Sequence, residues 1–141
     1  MSAGVVEVRE SDLALSYARS RLADLDRMRQ VLQAAQAGMA QRDIARAAHL
    51  SQPTVHRMIG RARVLGLDNE TVEEIVLRRF VGELTDSEML HQLQAFSRWI
   101  PSITDPIDGR LPEDSEAELE ALVTEGFLSD GELTRVVAAH A

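Results

Sequence analysis

Apolar residues in the first quarter of the chain recur every three or four positions and never every two. Leu15, Ala18, Leu22, Leu25, Met28, Leu32 and Ala35 make one stripe of an amphipathic helix running from Ser11 to about Ala37, where Gly38 stops it. The helical period persists downstream, and no segment of the 141 residues alternates with period two. Tyr17, Phe80, Phe96, Trp99 and Phe127 are the only aromatic residues, too few to furnish a sheet core, whereas Leu and Ala recur throughout. The expected fold class is all-α, an N-terminal three-helix unit followed by helical hairpins.

The punctuation places the helices. A short one is expected from Gln41 to Ala48, and a third from Gln52 to about Leu65, capped by Ser51 and ended by Gly66. Asn69 is expected to cap a helix carrying Val72, Ile75, Val76 and Phe80, closed by Gly82. Thr85 is expected to cap another that carries Met89, Leu90, Leu93, Phe96 and Trp99. Residues 101–112 hold three Pro and an Asp-Gly pair, which predicts a structured turn or linker. Two further helices follow, Asp114 to Glu125 and Asp130 to about His140. Gly82–Met89 and Gly126–Leu133 share one pattern: a Gly, a Thr or Ser three residues on, and a Glu three residues after that. That is the spacing of a helix stop followed by a capping box, so each copy predicts a hairpin corner.

Composition removes several chemistries. The chain has no Cys, and all 15 basic residues are Arg, so thiolate metal sites, a Walker lysine and Schiff-base mechanisms are excluded. The four His form no paired ligand set, and Glu116, Glu118 and Glu120, two apart on a helix, point in different directions. No catalytic residue, metal site or cofactor is expected, and the chain is not expected to be an enzyme. No run approaches about 18 apolar residues, and Met1–Glu10 has neither a basic start nor an apolar stretch. The expectation is a soluble cytoplasmic protein with no membrane partner.

Charge divides the chain. Residues 1–66 carry ten Arg against six acids, a formal charge of plus 4, and residues 67–141 carry five Arg against seventeen acids, minus 12. Two regions follow, a basic 1–66 and an acidic 67–141, with the sign of the first suited to phosphate.

The stretch Gln41–Gly60, QRDIARAAHLSQPTVHRMIG, carries the chemistry. Ile44, Ala45, Ala48, Leu50, Val55 and Met58 occupy the spacing that two helices need to cross steeply over a three-residue turn, with a small residue where they touch. In these positions the segment resembles the helix-turn-helix of bacterial transcription regulators. His49 departs from the pattern, since the turn there commonly has a Gly in the left-handed conformation. The resemblance implies that the helix beginning at Gln52 enters the major groove of double-stranded DNA. Its candidate contacts are the outward Gln52, Pro53, His56 and Arg57 toward base edges, and Ser51, Thr54, Arg61 and Arg63 toward the phosphate backbone, with Arg42 and Arg46 of the preceding helix facing the same backbone. The alternative is that these Arg merely solvate two surface helices.

The long first helix would span roughly 40 Å, and its first half must bury its stripe either on the acidic helices or on a second copy, a homodimer being the expected state of a regulator of this kind. A basic operator-binding region joined to an acidic region is similar in organisation to antitoxins of bacterial toxin-antitoxin operons. In that reading residues 67–141 hold a protein partner, a toxin, through apolar residues such as Ile100, Ile103, Ile107 and Phe127. Two alternatives remain: a stand-alone regulator whose acidic half dimerises or meets RNA polymerase, and a protein-interaction adaptor without DNA binding.

Overall fold

The computed structural model describes residues 7–102, 104–105, 109–110 and 114–141. Among them are seven helices: α1 (Glu10–Gln36), α2 (Gln41–Ala48), α3 (Gln52–Val64), α4 (Val72–Phe80), α5 (Asp86–Gln94), α6 (Ser115–Thr124) and α7 (Asp130–Ala139). The fold is all-α, relieved by one antiparallel pair, β1 (Thr104–Asp105) with β2 (Gly109–Arg110), inside the segment expected to turn. Ile103 and Ile107 lie outside the described residues. No helix among the described residues is long and apolar enough to cross a membrane.

The stripe of α1 serves two cores in succession. Its second half buries Leu25, Met28, Val31 and Leu32 against Ile44 and Ala45 of α2, Val55, Ile59 and Ala62 of α3, and Leu67. Its first half buries Ala18 and Leu22 against Val72, Ile75 and Val76 of α4, Met89 and Leu93 of α5, Leu119 and Leu122 of α6 and Val136 of α7. The stripe of that first half is thus covered by the acidic helices. The α4–α5 and α6–α7 hairpins lie side by side, α4 touching α6 and α5 touching α7, while α1 meets α4. Removing residues 114–141 would therefore strip Leu119, Leu122, Phe127, Leu128 and Val136 from the core that holds α1 and α4.

Both echoed corners form as the shared pattern predicts. Gly82 and Gly126 take φ of 89° and 87°, a conformation open to Gly at little cost. Thr85 and Ser129 then accept from the amides of Glu88 and Glu132, whose carboxylates accept in return from the amides of Thr85 and Ser129.

Two expectations need correction. The cap of α4 is Thr71 rather than Asn69: the Thr71 hydroxyl accepts from the Glu74 amide, and the Glu74 carboxylate accepts from the Thr71 amide. Asn69 instead turns its carbonyl to Arg29. Helix α5 ends at Gln94, short of Trp99. No Gly or Pro ends it there; Phe96 and Trp99 leave the helix to pack on the core, and the Trp99 ring stacks on His140 with centroids 4.0 Å apart. The His140 ring nitrogen Nε2 lies 2.8 Å from the Leu93 carbonyl, which ties the chain end to the last turn of α5.

Candidate nucleic-acid interface

Helices α2 and α3 are joined by His49, Leu50 and Ser51. His49 adopts φ 57° and ψ 44°, so the left-handed turn forms without Gly. It is closed by the Leu50 amide donating to the Ala45 carbonyl at 2.9 Å and the His49 amide donating to Arg46 at 3.4 Å, the two bonds of a Schellman corner. Ile44, Ala45 and Val55 are buried at the angle between the helices, Leu50 and Met58 pack against them, and Ala48 is half-buried.

At the start of α3 three side chains form a chain of hydrogen bonds. The Ser51 Oγ accepts from the Thr54 amide at 3.2 Å and lies 2.7 Å from the Thr54 hydroxyl, which also accepts from the Arg57 guanidinium at 3.2 Å. Arg57 is thereby drawn back toward the first turn of the helix. Sequence spacing indicated the cap but not this tether, although residues three apart on a helix are neighbours.

Among the helices, α3 touches α1 and α2 and none of α4 to α7. Val55, Ile59 and Ala62 face inward. Gln52, Pro53, His56, Arg57, Arg61 and Arg63 are exposed, and so are Arg42 and Arg46 on α2; Ser51 is exposed at the cap and Thr54 is half-buried. At 100° per residue Pro53, Arg57, Gly60 and Val64 lie opposite the buried stripe, with Gln52, His56 and Arg63 along one edge and Arg61 along the other. Val64, overlooked in the sequence pattern, is 86% exposed on this face. Its place seven residues after Arg57 was the available signal.

Two sets of Arg side chains contrast, while Arg19, Arg27 and Arg135 are exposed with no ion pair among the described residues. Arg21, Arg29, Arg78, Arg79 and Arg98 are each bound to acids of the second half or of the connection before it: Glu73, Glu74, Glu70, Glu132 and Asp68 respectively. Hydrogen bonds donated to Glu73 and Glu74 raise the Arg21 and Arg29 guanidinium pKa values against the opposing effect of burial. Arg57, Arg61 and Arg63 have no ion pair among the described residues, and Arg42 and Arg46 share only the half-exposed Asp43, at 4.0 and 3.6 Å. Such loose surface pairs contribute little and break readily for a phosphate. Among the described residues no group of three or more acids or His is placed to hold a metal ion.

Phe127, expected as an exposed docking residue, is 6% exposed. It is stacked on Tyr17 at 5.8 Å and set edge-on to Phe80 at 4.8 Å. Packing between α1 and the α6–α7 corner consumed it, a contact that spacing within one helix could not reveal. Ile100 remains half-exposed, held by the Ser115 hydroxyl, which accepts from its amide at 2.7 Å.

Comparison with protein-family models, with curated proteins and with solved structures finds no match to this chain.

Proposed function

We propose that the chain is a sequence-specific DNA-binding regulator of transcription, with α2 and α3 as a helix-turn-helix and α3 as the helix that reads the major groove. The observation that carries this reading is the clustering of Arg42, Arg46, Arg57, Arg61 and Arg63 on α2 and α3, exposed and all but unpaired, whereas Arg21, Arg29 and Arg79 are held by acids. Bound phosphates would supply the missing partners. Gly60 adds support. A Cβ there would meet nothing within 4 Å, so the fold has no need of Gly at that point, and Gly inside a helix costs about 0.5–1 kcal/mol relative to Ala. A bare helix surface between Arg57 and Val64 allows the backbone to come close to a base pair.

In this reading Arg57 reads a base edge, helped by its tether to Thr54, and Gln52 and His56 face neighbouring bases. Arg61, Arg63, Arg42, Arg46 and the Ser51 end of the helix hold phosphate. The chain carries out no reaction, needs no cofactor, and works in the cytoplasm. With duplex sites selected from a random pool, Arg57→Ala is expected to weaken specific binding by about 1–3 kcal/mol and relax the preference at one position. Arg61→Ala should weaken all duplexes alike and lower the salt slope by about one. Equal loss on selected and random duplexes for both variants would end the assignment of Arg57 to a base. Gly60→Leu should raise the unfolding free energy by about 0.5–1 kcal/mol while lowering duplex affinity at least tenfold, about 1.4 kcal/mol; unimpaired binding would remove the close approach.

For the acidic half we propose a protein partner, in an autorepressing antitoxin whose carboxylates meet a basic toxin; the charge of minus 12 on residues 67–141 supports it. The burial of Phe127 and the shared core on α1 favour the second reading, a stand-alone regulator in which α4 to α7 form the scaffold of the DNA-binding unit. A cotranscribed gene whose product is toxic alone would decide for the first. An adaptor without DNA binding predicts background affinity for every duplex at low salt.

A further inference from the structure

The start of α1 keeps an apolar face that its own chain does not cover. Leu13 is 62% and Tyr17 is 51% exposed, although the core stripe of the same helix is buried beside them. Residues four apart share one helix face, and Glu10, Leu13, Tyr17, Ser20 and Asp24 line it. The Tyr17 ring is steadied from beneath by its stack on Phe127, so burying it would cost little side-chain entropy.

Acids predominate before Leu13, where Glu7, Glu10 and Asp12 stand with Arg9, and Arg19 and Arg21 follow Tyr17 ahead of Asp24. Arg19 and Glu10 have no ion pair among the described residues, and Arg21 is shared with Glu73 at 2.6 Å. In a two-fold interface residue i meets residue j of the copy while j meets i. An antiparallel pair of α1 helices centred between Leu15 and Ser16 sets Asp12 level with the partner's Arg19 and Glu10 level with the partner's Arg21, and brings Leu13 within one residue of the level of the partner's Tyr17. Asp12 and Arg19 are two turns apart on one flank, and Glu10 and Arg21 three turns apart on the other, so both flanks match at the same centre. A parallel pair would set acids against acids and Arg against Arg.

We propose that this face of α1 is the homodimer interface, with the two first helices antiparallel about Leu13 and Tyr17. The surface that pairs is opposite the Leu15–Leu32 stripe, which is spent inside the chain. The inference does not rest on DNA binding, because the dimer is measured without DNA.

The full chain at about 100 μM, roughly a hundredfold above a micromolar Kd, should show twice its own mass by light scattering after size exclusion. Leu13→Glu should return it to the mass of one chain with unchanged helix content by circular dichroism, since the side chain contributes nothing to either core. With no native Cys, single-Cys variants report the orientation. Oxidation should cross-link Ser16→Cys, next to the two-fold axis. Ser20→Cys should stay uncross-linked, because antiparallel pairing holds its two copies about 13 Å apart along the axis, beyond the Cα separation of about 7 Å that a disulfide tolerates. A single-chain mass for the native protein, or a dimer that survives Leu13→Glu, overturns the interface. Equal cross-linking of both Cys variants overturns the antiparallel arrangement.

Discussion

Arg29→Met is expected to lower the unfolding free energy by about 3–5 kcal/mol at pH 7, the largest loss of any single surface-reaching side chain. Glu74 is completely buried at the start of α4, and the Arg29 guanidinium of α1 donates to its two carboxylate oxygens at 2.5 and 2.8 Å. The same guanidinium donates to the Leu67 and Asn69 carbonyls at 2.9 and 3.0 Å, so it fastens α1, the α3–α4 connection and α4 together. Met keeps the stem and removes the charge, leaving a buried carboxylate with the Thr71 amide and hydroxyl and the more distant Arg78 at 3.7 Å. An orphaned buried charge costs far more than the intact pair contributes.

The pH dependence gives that loss a signature. Burial alone would raise the Glu74 pKa; hydrogen bonds from Arg29 and then Thr71 outweigh it and hold the carboxyl below its ordinary value of 4.5. In the native protein the pair therefore contributes stability that is present above about 4.5 and lost as pH falls through the lower folded value. In Arg29→Met burial acts unopposed by Arg29 and the carboxyl rises. The unfolding free energy lost relative to the native protein should then be greatest near pH 7 and shrink toward pH 5 as the group takes up its proton. Urea unfolding at both pH values measures this; a loss below about 1 kcal/mol, or one equal at both, would show that the carboxylate finds another partner.

Leu32→Ala is the second large expectation, a loss of about 2–5 kcal/mol. Leu32 is 1% exposed and lies in the core formed by α1, α2 and α3. The cavity would sit beneath the two helices that present Arg42, Arg46 and Arg57, so duplex affinity should fall together with the urea midpoint, although Leu32 is remote from the exposed face. Stability lost with affinity intact would mean that α3 holds its position through α2 and the turn alone.

The sequence was most informative where the structure is local. The two Gly-to-capping-box corners, the Ser51 cap, the α2–α3 turn and the buried stripe of α1 depend on residues within four or five positions of one another, and all can be read from spacing. His49 is the instructive case: its left-handed turn closes because Ala45 and Arg46 offer carbonyls in register, and the backbone bonds outweigh the strain of a side chain at positive φ. The exposed arginines of α3 were legible for the same reason, since the helical period alone separates them from Val55, Ile59 and Ala62.

The contacts that override spacing were not legible. Helix α5 stops five residues before Trp99, with Phe96 and Trp99 packed on the core beyond it, and Phe127 is buried because its partners Tyr17 and Phe80 reach it from distant helices. The neutralisation of Arg21, Arg29 and Arg79 likewise depends on pairs 45 to 53 positions apart, such as Arg29 with Glu74 and Arg79 with Glu132. Helix type and most of the caps follow from the chain because a hydrogen bond to the fourth neighbour needs no distant partner. The sharing of α1 between two cores, the clasp on Glu74 and the bare face at Leu13 and Tyr17 arise only when helices far apart in sequence compete for the same buried space.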